Sequence, residues 1–267
     1  YNQGNNPKAL KYFHKALYLI LPAANSQRND NTPDKSNAAA LYGNIGNVYK
    51  EMGENSHLQD NERDSLFNKA LENYQKALKI KEELGDMRGL AIWLGNIGSV
   101  YREQGDFQKS LEYYLKALKI HQETGNKIHT AAVMGDIGSL YTSLKKYRES
   151  ENYILNALSL SDSIGALELK KDHLNFLSNL YFEKGEAAYA TGNKAASAEE
   201  YKNALEYYTQ SILVKDSVFN EEKSNEITRQ EMSYAFYKKE AAVQAEHDKQ
   251  AAVAAAESKK QKIVIAF

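Results

Sequence analysis

The sequence predicts an all-α protein built of stacked antiparallel helix pairs, and three observations lead to this prediction. A nine-residue motif recurs along the chain, apolar residues in the recurring segments are three or four positions apart, and only three Pro interrupt 267 residues. Recurrence of one unit at a fixed interval indicates a repeat protein, because each unit buries its apolar face only against its neighbours. Apolar residues at this spacing are typical of one face of an α-helix.

The nine-residue motif marks the first helix of each pair. Its clearest copies are Trp93–Tyr101 and Val133–Tyr141, with an earlier copy at Leu41–Tyr49 and a degenerate copy at His173–Tyr181. The last three copies begin 40 residues apart, whereas the step from the first to the second includes a 12-residue insertion. We expect four such first helices.

A second motif follows each first one and predicts the second helix of the pair. Clear copies are Phe67–Leu78 and Phe107–Leu118, weaker copies are Tyr147–Leu158 and Tyr201–Ile212, and a lone copy is Lys8–Leu17. Extra residues occur between the two motifs of the first and the last pair, where we expect loops to accommodate them. Gly followed by Asp or Asn separates the helices, because Gly ends a helix and Asp or Asn caps the next one. These turn signals are Gly85-Asp86, Gly105-Asp106, Gly125-Asn126 and Gly192-Asn193.

Small residues at fixed positions of both motifs predict close helix packing. In the first helix these are Gly46, Gly98 and Gly138, while the second helix has Ala or Ser at the corresponding positions. Large Tyr and Leu side chains are predicted to fill the spaces between successive pairs.

This pattern resembles the tetratricopeptide repeat (TPR) family. The family's order is a large residue, Leu-Gly, Tyr, and then Ala, an aromatic residue and Ala. The third repeat meets this order with Leu94, Ile97-Gly98, Tyr101, Ser110, Tyr114 and Ala117. The closing Pro is absent, and the period of 40 exceeds the common 34, as in the long-helix TPR subgroup. The resemblance implies a right-handed superhelix whose first helices line a concave groove.

The resulting domain organisation has three parts. Residues 1–215 are predicted to form the TPR superhelix, with a partial first repeat and four helix pairs that begin near residues 35, 87, 127 and 167. Residues 216–262 contain no Gly or Pro and are predicted to form one long signalling helix, which needs a partner. A homodimeric coiled coil through this helix is one interpretation, and a helix folded back as a cap is the alternative. Residues 263–267 follow a Lys cluster and resemble the beginning of a membrane-spanning helix.

Residues 215–224 resemble the end of the TPR region in bacterial membrane-anchored signalling proteins. That resemblance implies a location in the cell envelope, with the TPR region in the periplasm rather than the cytoplasm. It also implies an effector after residue 267, a histidine kinase or a nucleotide cyclase. Lys259, Lys260 and Lys262 oppose this orientation, because the positive-inside rule places them in the cytoplasm. The alternative is a freestanding cytoplasmic TPR scaffold whose basic C-terminal helix binds a membrane surface or a partner helix.

The sequence predicts no catalytic chemistry within this chain. With no Cys, thiolate metal sites and Cys nucleophiles are excluded, and the six His form no HExxH pair. A net charge of −1 argues against a nucleic-acid surface. We therefore expect no enzyme activity, no cofactor, no metal and no nucleic acid, but a protein or peptide in the concave groove.

Ten polar residues are predicted to face that groove, because they recur on one side of the first helices. Asn donates and accepts hydrogen bonds and so suits an extended peptide backbone, while Lys and Arg suit a carboxylate. For Asn44, Asn96 and Asp136, the alternative is that they satisfy hydrogen bonds between repeats. The predicted set is Asn44, Asn47, Lys50, Asn96, Ser99, Arg102, Asp136, Ser139, Asn175 and Asn179.

Overall fold

Helices joined by short turns make up the described part of the chain, so the all-α prediction is confirmed. The computed structural model describes residues 6–24, 32–54, 58–219 and 223. The helices are α1 (Asn6–Ala24), α2 (Thr32–Gly53), α3 (Asp60–Glu83), α4 (Met87–Glu103), α5 (Phe107–Glu123), α6 (Lys127–Ser143), α7 (Tyr147–Ser163) and α8 (Leu167–Ala190). A further helix, α9, runs over residues 194–219.

The chain divides into two compact units, Tyr1–Val214 and Lys215–Phe267. The first unit contains α1–α8 and the part of α9 up to residue 214. Each helix packs against the next from α1 to α8, and α6 also packs against α8. In the second unit, the described residues 215–219 and 223 are helical. The predicted long helix over 216–262 and the membrane-spanning start at 263–267 otherwise lie outside the described residues.

The predicted turn residues end and begin helices as expected. Gly85 and Gly105 adopt φ of +66° and +76°, the left-handed conformation that costs Gly little. The next residue then caps the following helix, since the Asp86 carboxylate accepts a hydrogen bond from the Gly89 N–H at 3.0 Å. Asp106 accepts from the Lys109 N–H in the same way at 3.1 Å.

Lys145 occupies the position of Gly105 in the next repeat and adopts a φ of +58°. An L-residue in this conformation costs about 1–2 kcal/mol, of which the greater unfolded-state freedom of Gly cancels about half. We therefore expect Lys145→Gly to stabilise the chain by about 0.5 kcal/mol in urea unfolding. The control is Lys146→Gly, because Lys146 has an ordinary φ of −90°. A gain in stability from the control as large as that from Lys145→Gly would contradict this account.

Equivalent residues of the four first helices lie in the hydrophobic core. Ile45, Ile97, Ile137 and Leu177 occupy the same position in the four first helices and are all fully buried. The small residues of the second helices are buried opposite them, including Ala77, Ala117 and Ala157. Burial of the same position in every repeat shows that the predicted register is right.

The Gly positions of the first helices are points of close contact, as the sequence predicts. A Cβ added to Gly138 would lie 2.4 Å from Ile154 Cγ1 and 3.2 Å from the Ser150 carbonyl oxygen. In the last repeat Ser178 replaces this Gly, and its hydroxyl donates a hydrogen bond to the Ala204 carbonyl at 2.9 Å. The Ser178 hydroxyl is therefore hydrogen-bonded even though the two helices approach closely at this point.

The expectation that loops accommodate the extra residues is wrong for the last repeat. There α8 continues through Gly185 to Ala190 and reaches 24 residues, against 17 in α4 and α6. The first repeat also has long helices, of 22 and 24 residues. Added residues extend the helices because they contain good helix formers and the extension buries Gly185 against Tyr201.

Candidate peptide-binding surface

The predicted groove residues lie on α2, α4, α6 and α8, the first helices of the four pairs. We call the surface formed by these ten residues the first-helix face. Its members are either exposed or half-buried, and none is fully buried. The exposed members are Asn44, Asn47, Asn175 and Asn179, and the half-buried members are Lys50, Asn96, Ser99, Arg102, Asp136 and Ser139.

A hydrogen-bonded group of three residues connects the first two repeats. The buried Tyr74 of α3 donates its hydroxyl hydrogen to Asn47 Oδ1 at 2.7 Å. The Asn96 side-chain amide of α4 donates to the same oxygen at 3.4 Å. Asn96 thus has the inter-repeat role that was the alternative interpretation of its position. Among the described residues, the Asn47 amide N–H groups have no side-chain or backbone acceptor.

A charged group connects the next two repeats. The Arg102 guanidinium of α4 lies 3.4 Å from Asp136 Oδ1 of α6, and it also lies 3.1 Å from Glu103 Oε1. Asp136 likewise fits the inter-repeat interpretation. Lys50 forms a 2.7 Å ion pair with Glu54, so both predicted cations already have carboxylate partners of their own.

Burial among these groups raises the pKa of the Asp136 carboxyl to about 6, although Arg102 and then Lys50 act to lower it and Asp172 acts to raise it. The side chain still has 35% of its surface exposed, which places the carboxyl at the floor of an open surface rather than in a closed cavity. The nearby cations Arg102 and Lys50 thus only partly offset the cost of burying the Asp136 charge.

A second feature escaped sequence reasoning, because it depends on what packs next to the last helix pair. Eight residues of α8 and α9 line an open cavity of about 540 Å³. Three large side chains remain exposed there: Phe182, Leu205 and Tyr208. The only signal in the sequence was that Tyr208 falls in the second motif at the position of Tyr74 and Tyr114. We call this region the end surface, formed by Asn175, Ser178, Asn179, Phe182, Tyr201, Ala204, Leu205 and Tyr208.

Comparison with protein families identifies the repeats. The family described as "Tetratricopeptide repeat" matches residues 61–123 and 89–163, which span α3 to α7. The helices of this segment are thus similar to tetratricopeptide repeats. No curated protein sequence is similar enough to this chain to count as a match.

Several solved structures resemble the chain at low identity. The nearly identical TPR-like repeats of a Podosopora anserina kinesin light chain have 12% identity and a TM-score of 0.48, covering 81% of this chain and 90% of their own. A Pyrococcus horikoshii signal transduction ATPase with a TPR sensor has 17% identity and a TM-score of 0.42, covering 78% and 41%. A Rap protein complexed with Competence and Sporulation Factor has 14% identity and a TM-score of 0.36, covering 82% and 72%. Likenesses this distant do not assign a ligand to this chain.

Two further kinds of feature are absent from the described part of the chain. No group of three or more His, Asp or Glu there is arranged to hold a metal ion. None of the described helices combines the length and the hydrophobicity that crossing a membrane requires.

Proposed function

We propose that this chain is a non-catalytic protein- or peptide-binding module and that its ligand lies along the first-helix face. The observation that carries the proposal is the continuity of polar groups across repeats. Asn47 and Asn96 meet between the first two repeats, and Arg102 and Asp136 meet between the next two. A peptide that crosses several repeats therefore finds hydrogen-bonding groups along its length.

The chemistry of these groups suits a polypeptide backbone. The exposed Asn44, Asn47, Asn175 and Asn179 provide amides that both donate and accept. Arg102 has five N–H donors, of which its contacts with Glu103 and Asp136 use three. Its two other N–H donors can therefore serve an incoming acceptor while these internal pairs stay in place.

The test begins with peptides selected from a random library on the immobilised full chain. The Kd of the best peptide is then measured by fluorescence anisotropy for wild type, Asn47→Ala and Arg102→Glu. We expect Arg102→Glu to weaken binding at least about tenfold, because one substitution removes the donors and adds a repulsive charge beside Asp136.

The matched control is Arg148→Glu, which makes the same change at an exposed position of α7, a second helix. We expect its Kd to stay within about twofold of wild type. Equal losses in Arg102→Glu and Arg148→Glu, or selected peptides that bind every variant alike, would remove the first-helix face as the binding site.

We further propose that the module is the sensor of a bacterial membrane-anchored signalling protein. The support for the signalling role and the periplasmic location is the resemblance of residues 215–224, and the Lys cluster before residue 263 supports only the membrane anchor. In this proposal the TPR region lies in the periplasm, and a dimer through the C-terminal helix transmits ligand binding to a histidine kinase. Recovery of the complete coding sequence tests it, and a reading frame with neither a membrane span nor an effector would refute it.

A further inference from the structure

The contact between successive repeats has a recurring element. One residue of each later first helix packs against the preceding pair, and these residues are Trp93, Val133 and His173. The Trp93 indole stacks on Tyr74 with ring centroids 5.9 Å apart. It also lies against Gly43, so closely that an added Cβ would be 1.9 Å from the indole.

The same arrangement recurs two repeats later, with His173 against Gly135. A Cβ added to Gly135 would lie 2.5 Å from the imidazole of His173 and 3.3 Å from the ring of Phe176. We call the recess at the end of each helix pair a socket. A first-helix residue forms its base, a second-helix side chain forms its wall, and a side chain of the next first helix fills it.

The end surface is the fourth socket in this series. Tyr208 occupies the position of Tyr74, Tyr114 and Ile154. Those three side chains are 0%, 1% and 0% exposed, whereas Tyr208 is 53% exposed. The difference follows from the neighbours, because within the described part of Tyr1–Val214 no first helix comes after α9.

The base of the fourth socket is more polar than those of the earlier sockets. Asn175 stands where Gly43, Gly95 and Gly135 stand in the earlier repeats. Its longer side chain keeps an incoming helix farther from α8, so a long side chain is needed to reach the cavity. The Asn175 and Asn179 amides at the edge also favour a side chain with a polar edge, and Trp or Tyr meets both requirements.

We propose that the end surface docks an amphipathic helix of a partner protein that presents an aromatic side chain between Phe182, Leu205 and Tyr208. The docked helix takes the place that α4 takes on the first pair. The argument is continuity, since the chain uses this interface between each of its successive repeats. The proposal is independent of peptide binding on the first-helix face.

The probe is a peptide of residues 87–104, which has the sequence of α4 and carries Trp93. Its binding to the full chain is followed by fluorescence anisotropy up to about 1 mM, the affinity expected of a single docked helix. A second form with a photoreactive benzoylphenylalanine in place of Trp93 maps the contact by crosslinking. We expect crosslinks to α8 and α9, and a Trp93→Ala peptide to bind at least about tenfold more weakly.

Two protein variants locate the site. Tyr208→Ala is expected to weaken peptide binding at least about fivefold, whereas Tyr18→Ala changes it by less than about twofold. Tyr18 is a matched control, because it is 78% exposed on α1. No binding at about 1 mM, crosslinks on the first-helix face, or equal effects of the two variants would overturn the proposal.

Oxidative footprinting of the chain alone tests whether a second copy of the chain, or another segment of the same chain, covers the end surface instead. Tyr208 is expected to be reactive at all protein concentrations. Protection that grows with concentration would identify a second copy as the occupant, and protection at every concentration would identify the chain itself. Either outcome overturns docking of a partner helix.

Discussion

Replacing Gly43 with Ala is expected to destabilise the chain by about 1–3 kcal/mol, which is the usual cost of forcing an extra methyl into a packed core. The added Cβ would lie 1.9, 2.3 and 2.5 Å from three carbon atoms of the Trp93 ring. The indole is rigid, only 9% exposed and stacked on Tyr74, so it has nowhere to move without opening the contact between the first two repeats.

The equivalent substitution one repeat later provides the control. Gly95 occupies the position of Gly43, but a Cβ added there meets no atom within 4 Å. Gly95→Ala is therefore expected to leave stability unchanged or to raise it by up to about 1 kcal/mol, because Ala is the better helix former. The two glycines differ because Trp93 fills the first socket and the smaller Val133 fills the second.

Urea unfolding followed by far-UV circular dichroism measures both changes. Trp93 is the only Trp in the sequence, so its fluorescence reports on this contact directly. Gly43→Ala should shift the emission to longer wavelength, because the indole becomes more exposed, and Gly95→Ala should not. Equal destabilisation by the two substitutions would show that helix propensity or general strain, and not the Trp93 contact, determines the effect.

The fold was predictable because repetition provides the same information several times. A single buried Ile could belong to many folds, but Ile45, Ile97 and Ile137 at one position of a repeated motif determine which face is buried. The capping residues Asp86 and Asp106 likewise indicated the helix starts within one residue. Local signals and the repeat agreed, which is the condition under which reasoning from sequence succeeds.

The partners of the charged residues were not predictable in the same way. The sequence suggested that Lys50 and Arg102 are available to a ligand carboxylate, but each pairs with a carboxylate of the chain. Such pairs depend on the offset between neighbouring first helices and on side-chain rotamers, which no motif encodes. The end surface was missed for a related reason, since the exposure of Tyr208 depends on what comes after α9.

Acidification from pH 7 to about pH 4.5 is expected to destabilise the chain through two buried histidines. Burial lowers the pKa of His121 to about 4, and the neighbouring His129 adds to this effect. Burial also lowers the pKa of His173 to about 4, although a hydrogen bond with the backbone at Ala131 acts to raise it. The ring centroids of His121 and His129 are 5.0 Å apart with the planes tilted by 31°, and His173 Nδ1 lies 3.2 Å from the Ser161 hydroxyl.

The direction follows from proton binding in the two states. Unfolding returns each imidazole to an ordinary pKa near 6.5, so below about pH 6.5 the unfolded chain binds protons that the folded chain does not. Stability therefore falls as the pH drops from about 6.5 towards 4, by about 2 kcal/mol for each histidine at pH 4.5. Asp136 acts in the opposite direction, because its raised pKa of about 6 lets the folded state bind a proton first.

Three variants separate these contributions when urea unfolding is measured at pH 7 and pH 4.5. His121→Gln and His173→Gln should each flatten the loss of stability on acidification by about 2 kcal/mol, whatever their stability at pH 7. His14→Gln is the matched control, because His14 is exposed on α1 and should leave the wild-type pH dependence in place. Asp136 is present in every variant, so its opposing contribution cancels in the comparison. Flattening by His14→Gln as large as that by His121→Gln would show that burial of the histidines is not the origin of the acid sensitivity.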